Sequence, residues 1–136
     1  MARRGPEGRL IDAVNKHIPK TIHHQSMTFG SRSFNGTPDR YYDGPLGDLW
    51  VEYKALTAMP RDGVLVGDYS SLQLRWMTRR YDNCAPSARN VVGVVGLPNR
   101  TAVIQRSPTE WEQGTPASTA LPIKEVSSWI SAFCSQ

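Results

Sequence analysis

The segment over residues 49–56 constrains the fold more than any other part of the sequence, because it combines strong β propensity with charged residues inside a strand. Glycine and proline in residues 43–47 predict a turn, and residues 40–42 before it predict a short strand. The two strands are expected to form a hairpin. Since side chains alternate between the faces of a strand, Glu52 and Lys54 share one face.

The rest of the chain alternates helical and strand patterns. Pro6 opens the first predicted helix and Pro19 ends it, while Ser70 is a suitable N-cap for the second. Residues 57–69 and 107–122 are predicted as connections. The predicted order is a helix over 6–18, strands over 21–29, 40–42 and 49–56, a helix from Ser70 to about 82, strands over 90–95 and 101–105, and a helix over 123–133. This α-β-β-β-α-β-β-α order indicates one mixed α/β domain over the whole chain, residues 1–136.

Composition excludes several classes of protein. Of the 136 residues, 39% are hydrophobic, which is enough for a core without disulfide cross-links. No apolar run approaches the ~20 residues that span a bilayer, and the N-terminus lacks the apolar stretch of a signal peptide. Cys84 and Cys134 lie far apart and form no metal-binding pair. We therefore expect a cytoplasmic protein whose formal net charge of +4 is compatible with a polyanionic partner.

A second carboxylate is expected near Glu52 and Lys54. Asp39 follows Pro38 at the start of the hairpin, thirteen residues before Glu52. Two carboxylates supply the oxygen ligands that Mg²⁺ prefers, and a metal held there can polarise a phosphodiester. Lys54 is then placed to orient a water molecule or to stabilise charge on the phosphate. A Glu-x-Lys pair also suits a solvated polar face, and Pro-Asp a simple turn, so both interpretations stay open at this point.

The combination resembles a known nuclease superfamily. Residues 36–39 (Gly-Thr-Pro-Asp) followed by residues 52–54 (Glu-Tyr-Lys) are similar to the signature of the PD-(D/E)XK nucleases. Residues 69–76 resemble the apolar-Ser-x-x-Gln-x-x-Trp helix of its VRR-Nuc group, which is related in fold to archaeal Holliday-junction resolvases. Glu7 resembles that group's acidic residue in the first helix. The resemblance covers about residues 5–105 and the last helix. It implies a restriction-endonuclease-like core, in which helices flank a central mixed β-sheet.

The resemblance also implies a function and roles for particular residues. It implies an Mg²⁺-dependent DNA endonuclease of replication, recombination or repair, junction-resolving or nicking, with Mn²⁺ as a substitute metal. The metal ligands would be Asp39, Glu52 and the backbone carbonyl of Tyr53. The chain departs from the family in having Ala55, rather than glycine, after the lysine. The implied catalytic residues are Asp39, Glu52, Lys54, Gln73 and Glu7, of which Glu7 would contact the metal through water.

DNA is the expected partner, together with a second copy of the chain that the resemblance suggests. Trp129 and Phe133 of the last helix are a candidate dimer interface, although packing against the chain's own sheet is the favoured interpretation. The resemblance points to a bacterial cell or to a virus that infects one. Two alternatives stay open: a non-catalytic nucleic-acid-binding module with a nuclease-like fold, and a structural protein with a polar strand face. Candidate DNA contacts, each of which also suits a solvated face, are Arg3, Arg4, Arg9, Arg32, Arg75, Arg79 and Arg80.

Overall fold

The computed structural model describes residues 5–29, 32–33 and 36–135. In chain order, these residues form α1 (Pro6–Asn15), β1 (His23–Ser26), β2 (Thr28–Phe29), β3 (Arg32–Ser33), β4 (Arg40–Asp43), β5 (Asp48–Ala55), β6 (Val64–Leu65), α2 (Ser71–Asn83), β7 (Val91–Gly96), β8 (Thr101–Gln105), α3 (Pro108–Gln113), β9 (Thr115–Pro116), β10 (Leu121–Pro122) and α4 (Ile123–Ser135). None of these helices is long and apolar enough to cross a membrane. The mixed α/β class predicted from the sequence is confirmed.

Six strands form a central mixed sheet in the order β1-β4-β5-β7-β8-β10. The expected β4–β5 hairpin is present, with Tyr41 opposite Trp50. Strand β5 pairs in parallel with β7, which places Gly93 beside Glu52. A parallel pair needs a crossover connection, and α2 supplies it. The catalytic candidates of β5 therefore lie in an interior strand of the sheet.

Helices cover both faces of the sheet. On one face, Leu10 of α1 and Ile130 of α4 pack in a cluster that includes Tyr53, and Trp129 and Phe133 pack against it. The favoured interpretation of these two aromatic residues, packing on the chain's own core, agrees with this arrangement. On the other face, α2 and α3 cover a second cluster, which contains Met77, Trp111, Val91, Val95 and Val103. Strands buried on both faces, like β7, carry nearly continuous apolar residues.

Two predicted elements are shorter than expected. Of the strand predicted over 21–29, only β1 belongs to the central sheet. The backbone N–H of Met27 donates to the carbonyl of Asp39 (2.8 Å) in the same register, and the chain then turns into β2, which pairs with β3. Helix α1 ends at Asn15, where i→i+3 hydrogen bonds of His17 and Ile18 tighten the chain before Pro19.

The predicted connection over residues 107–122 contains a helix that the sequence analysis missed. Ser107 caps α3 by accepting from the backbone N–H of Glu110 (3.3 Å), and Pro108 occupies the first turn. Trp111 of this short helix is 1% exposed. The Ser-Pro-x-Glu start signal was present in the sequence, but the surrounding serine, threonine and proline residues favoured a loop. The connection over 57–69 likewise contains β6, which pairs with β9.

Candidate active site

Glu52 and Lys54 lie together on the face of β5 that α2 covers. The Lys54 Nζ atom is 3.6 Å from Oε2 of Glu52, and the two side chains are 15% and 1% exposed. Gln73 of α2 donates to the same Glu52 oxygen at 2.9 Å. The expected pairing of carboxylate and ammonium on one strand face is present, but the face is buried rather than solvated.

Asp39 joins this pair from the loop before β4. Its Oδ2 atom accepts a hydrogen bond from the backbone N–H of Tyr53 at 3.1 Å. This bond fixes Asp39 beside the β5 residues, and the Asp39 and Glu52 carboxyl groups lie close enough to interact directly. The structure thus brings together Asp39, Glu52, Lys54 and Gln73, which the sequence placed in separate segments.

Gly36 lets the loop that carries Asp39 pass against α2. It adopts a φ of 80°, and a Cβ atom there would lie 2.3 Å from the backbone oxygen of Leu72 and 2.9 Å from the nitrogen of Gln73. A glycine is the residue that tolerates both the positive φ and the close approach of two backbones. This explains the first residue of the Gly-Thr-Pro-Asp segment.

We expect Gly36→Ala to lower the free energy of unfolding by about 2–4 kcal/mol, because backbone strain and a backbone clash add. Urea denaturation monitored by tryptophan fluorescence measures the loss. Gly63 is a matched control: it has a φ of 73° but nothing within 4 Å of its Cβ position. Gly63→Ala should therefore show the strain alone, and equal losses in the two variants would contradict the proposed clash.

Gln73 has two separate roles at the start of α2. Its backbone N–H donates to Ser70 Oγ (3.1 Å), and its side-chain oxygen accepts from the Ser70 backbone N–H (2.8 Å), which forms a capping box. Its side-chain nitrogen donates to Glu52. The cap orients the amide, so that its NH₂ group faces the carboxylate.

Gln73→Glu separates these two roles. Glutamate preserves the capping box but cannot donate to Glu52 and adds a negative charge beside it. We expect little change in helix content by circular dichroism, together with at least a tenfold loss of the activity proposed below, about 1.4 kcal/mol. The control Ser70→Ala removes the cap instead, so it should lower stability by about 1 kcal/mol and reduce activity less. The reverse order would refute the assigned role of the Gln73 amide.

The electrostatics of the site favour an additional cation. Burial and the neighbouring Asp39 raise the pKa of Glu52 to about 9, although Lys54 opposes the shift. Burial also raises the pKa of Asp39, against the hydrogen bond from Tyr53. Glu52 Oε1 is buried and has no hydrogen-bond partner among the described residues. A buried carboxylate oxygen without a partner is costly, and one lysine does not balance two carboxylates.

Glu7 borders this cluster from the first turn of α1. Partial burial raises its pKa, Lys54 lowers it, and Asp39 and Asp68 raise it further. Glu7 therefore lies within electrostatic range of the site, where its sequence-based role placed it. Asp68 was missed by the sequence analysis, and its position just before the Tyr-Ser start of the second helix was the available signal.

The donor set fits a hard divalent cation. In the described part of the chain, no group of three or more His, Cys, Asp and Glu side chains is arranged to hold a metal. Asp39 and Glu52 instead offer two neighbouring carboxylates, which suit Mg²⁺ because this ion binds few protein groups and keeps several water ligands. The unpartnered oxygen of Glu52 is consistent with such an ion, because coordination would satisfy it.

A buried polar network lies behind Glu52 and was not found by sequence analysis. Gly93 leaves the space that the Tyr69 ring occupies, since a Cβ atom at Gly93 would lie 1.9 Å from the phenol oxygen. The Tyr69 hydroxyl donates to Gln105 Oε1 (2.6 Å), and Gln105 Nε2 donates to the Leu65 carbonyl (3.0 Å). The network ties the connection after β5 to the sheet. Burial and the nearby Glu52 raise the pKa of Tyr69.

The arginines of α2 differ in their surroundings. Arg75 and Arg79 line a cleft of about 420 Å³ with Trp76, beside the helix start that carries Gln73. Arg80 instead donates from Nε to Asn90 Oδ1 (2.9 Å). Arg75 and Arg79 are therefore the better-placed candidates for phosphate contacts on this face.

The other candidate DNA contacts are spread over the N-terminal part of the chain. Arg3 and Arg4 lie outside the described residues, and the Arg32 side chain is likewise not described. Arg9 is exposed on α1, on the opposite face of the sheet from α2.

The six-stranded mixed sheet with helices on both faces is a restriction-endonuclease-like fold, as the sequence analysis predicted. A solved structure similar to this chain is Hjc, a Holliday junction resolvase from the archaeal hyperthermophile Archaeoglobus fulgidus. The TM-score is 0.52 at 18% sequence identity, and the alignment covers 91% of this chain and 97% of Hjc. At this identity the likeness shows the fold. No protein-family profile matches the sequence, and no curated protein sequence matches it.

Proposed function

We propose that the protein is a divalent-metal-dependent endonuclease that hydrolyses DNA phosphodiester bonds. The observation that carries the proposal is the buried Glu52 carboxylate, with one unpartnered oxygen, between Asp39 and Lys54. A structural polar strand face would instead expose these groups to water. The resolvase-like fold supports the same conclusion, because the site lies on its central sheet.

Asp39, Glu52 and the Tyr53 carbonyl would hold the metal. Mg²⁺, or Mn²⁺ in its place, would polarise a phosphoryl oxygen and favour deprotonation of water at neutral pH. The protein's own contribution is to hold the ligands in position. The Tyr53 N–H fixes Asp39, and Gln73 fixes the Glu52 carboxylate.

Lys54 supplies the positive charge that the reaction needs beside the ligands. Its ammonium group is half-buried near Glu52, which restricts its position without removing it from solvent. There it can donate a hydrogen bond to the attacking water and stabilise negative charge that develops on the phosphate. Glu7, on the other border of the site, is proposed to bind a water molecule of the metal shell.

The substrate proposed first is branched DNA in recombination or repair. Hjc is described as a Holliday junction resolvase, and its fold likeness supports testing four-way junctions before plain duplex. The Tyr69–Trp76 segment, whose Gln73 contacts Glu52, supports the finer proposal of a relationship to the VRR-Nuc group. A homodimer that acts on two strands is part of the same proposal.

The test is incubation of four-way, nicked and linear DNA with Mg²⁺, with Mn²⁺ and with EDTA. We expect cleavage in either metal and none in EDTA. Lys54→Ala should lower the rate by about 10²–10³-fold, as removal of one preorganised charge donor does in other hydrolases. Lys124→Ala, at an exposed site on α4, is the matched control and should retain activity.

Three outcomes would contradict the proposal. DNA binding without cleavage by the parent protein would identify a non-catalytic binding module. The absence of both binding and cleavage would favour the alternative of a structural protein. Equal loss of cleavage in Lys54→Ala and Lys124→Ala would show that cleavage does not depend on the site around Glu52.

A further inference from the structure

A groove on the α1 face of the sheet is not used by the proposed reaction. It has a volume of about 780 Å³ and lies between α1, the ends of β5 and β7, and the β7–β8 turn. This volume is within the ~300–1,000 Å³ typical of ligand sites. Its floor is mainly aliphatic and includes Leu10, Ala13, Ala55 and Leu97.

The rim of the groove is cationic. Arg9 borders it from α1, Lys16 borders it directly after that helix, beside His17, and Arg100 borders it from the β7–β8 turn. Among the described residues, no acidic side chain lines the groove, and the Lys16 and Arg100 side chains have no hydrogen-bond or ion-pair partner. An aliphatic floor below a cationic rim suits a ligand with a flat apolar part and negative charges at its edge.

The groove adjoins the candidate active site at the C-terminal end of β5, although the two lie on opposite faces of the sheet. Pro6 lines its near end and is followed directly by Glu7, which borders the catalytic cluster. On the strand side, Leu56 and Thr57 line it just beyond Lys54. A polynucleotide at the catalytic cluster therefore reaches the groove by passing around the end of β5, from the face that α2 covers to the face that α1 covers.

Arg100 occupies a backbone position that a glycine would adopt at lower cost. Its φ is 65°, the one positive φ of a non-glycine residue in the described ranges. The turn thus has an exposed arginine beside the groove, although its positive φ favours glycine. Charge and local stability can be separated by experiment at this position.

We propose that the groove binds unpaired nucleotides of the strand that enters or leaves the active site. The bases lie on the aliphatic floor and the phosphates contact Arg9, Lys16 and Arg100. The nature of the ligand rests on the proposed function. A double helix would contact the rim but leave the floor empty, because its bases are stacked and paired inside.

The test is fluorescence anisotropy in EDTA, with a labelled oligothymidylate and a blunt duplex as probes. Arg100→Gly should weaken oligothymidylate binding about tenfold, a difference of ~1.4 kcal/mol, with an unchanged or higher Tm. Ala13→Phe, which fills the floor and retains every charge, should weaken it similarly. Ala13→Phe should leave duplex binding unchanged, and Arg100→Gly should weaken duplex binding less than oligothymidylate binding. The charge control Lys124→Ala lies outside the groove and should leave oligothymidylate binding nearly unchanged.

Several results would overturn the proposal. One is an equal effect of Arg100→Gly and Lys124→Ala on oligothymidylate, and another is retained binding in Ala13→Phe. A third is displacement of the oligonucleotide by a polyglutamate peptide of equal charge, which would assign the groove to an acidic protein segment. Oligothymidylate binding is measured in EDTA, without metal. It can therefore still be measured if the protein proves not to be a nuclease. Conversely, the parent protein could cleave DNA while Arg100→Gly and Ala13→Phe bind oligothymidylate normally. That result would reject the groove proposal and leave the nuclease proposal standing.

Discussion

Glu52→Gln is expected to abolish metal-dependent cleavage and, at the same time, to stabilise the metal-free protein at pH 8. The amide retains the shape of the side chain and removes the charge that a metal needs. Without metal, the parent buries a carboxyl group that prefers to be protonated, since burial and Asp39 raise its pKa to about 9. The glutamine variant has no such group to ionise.

The sign of the pH dependence follows from the raised pKa. Between about pH 4.5 and 9, the native state holds the Glu52 proton more tightly than the unfolded chain, so stability falls as pH rises. We expect the free energy of unfolding of the parent in EDTA to fall by a few kcal/mol across this window. In Glu52→Gln, the fall in the free energy of unfolding that comes from ionisation of Glu52 should be absent.

Urea titrations at pH 5, 7 and 9, in EDTA and in Mg²⁺, measure both effects. Mg²⁺ should stabilise the parent by binding the native state and should stabilise Glu52→Gln much less. The control Glu112→Gln removes an exposed carboxylate of α3 and should leave the pH dependence of the parent unchanged. If Glu52→Gln keeps the parent's pH slope and its Mg²⁺ effect, the metal-ligand assignment is wrong.

Gly93→Ala adds one methyl group, and we expect it to lower the free energy of unfolding more than the same addition elsewhere in the sheet. Its Cβ would lie 1.9 Å from the Tyr69 hydroxyl oxygen and 2.8 Å from the ring carbon that carries it, so the ring must move. Displacement breaks the hydrogen bond to Gln105 and leaves buried polar groups unpaired. We expect a loss of about 3–5 kcal/mol in the free energy of unfolding.

A double-mutant cycle tests the cause of this loss. Tyr69→Leu removes the ring and the hydroxyl, so Gly93→Ala should be much less damaging in that background than in the parent. Glu52 is the strand partner of Gly93, and activity should fall with the same displacement. Additive free energies for the two substitutions would show that the Tyr69 ring is not what requires glycine there.

The order of elements and the neighbourhood of Glu52 and Lys54 were predictable from local patterns. Strand alternation placed the two charges on one face, and the turn over residues 43–47 placed β4 beside β5. Gln73 was recognised from its helix motif, but its contact with Glu52 depends on how α2 crosses the sheet. The helix that buries Trp111 was predicted as part of a connection, because the propensities of the surrounding residues outweighed the start signal.

The sequence by itself determined which groups are candidates for the proposed chemistry: two carboxylates, a lysine and an amide, on elements whose local patterns place them at strand and helix positions. Only the tertiary structure decided that Glu52 is buried with an unpartnered oxygen, and that Tyr69 lies over Gly93 behind it. Burial and pKa depend on residues far away in the chain, which meet through the parallel β5–β7 pairing and the crossover helix. The periodicity of one segment does not indicate which distant residues pack against it. The burial and the pKa shifts of the site could therefore not be predicted from the sequence.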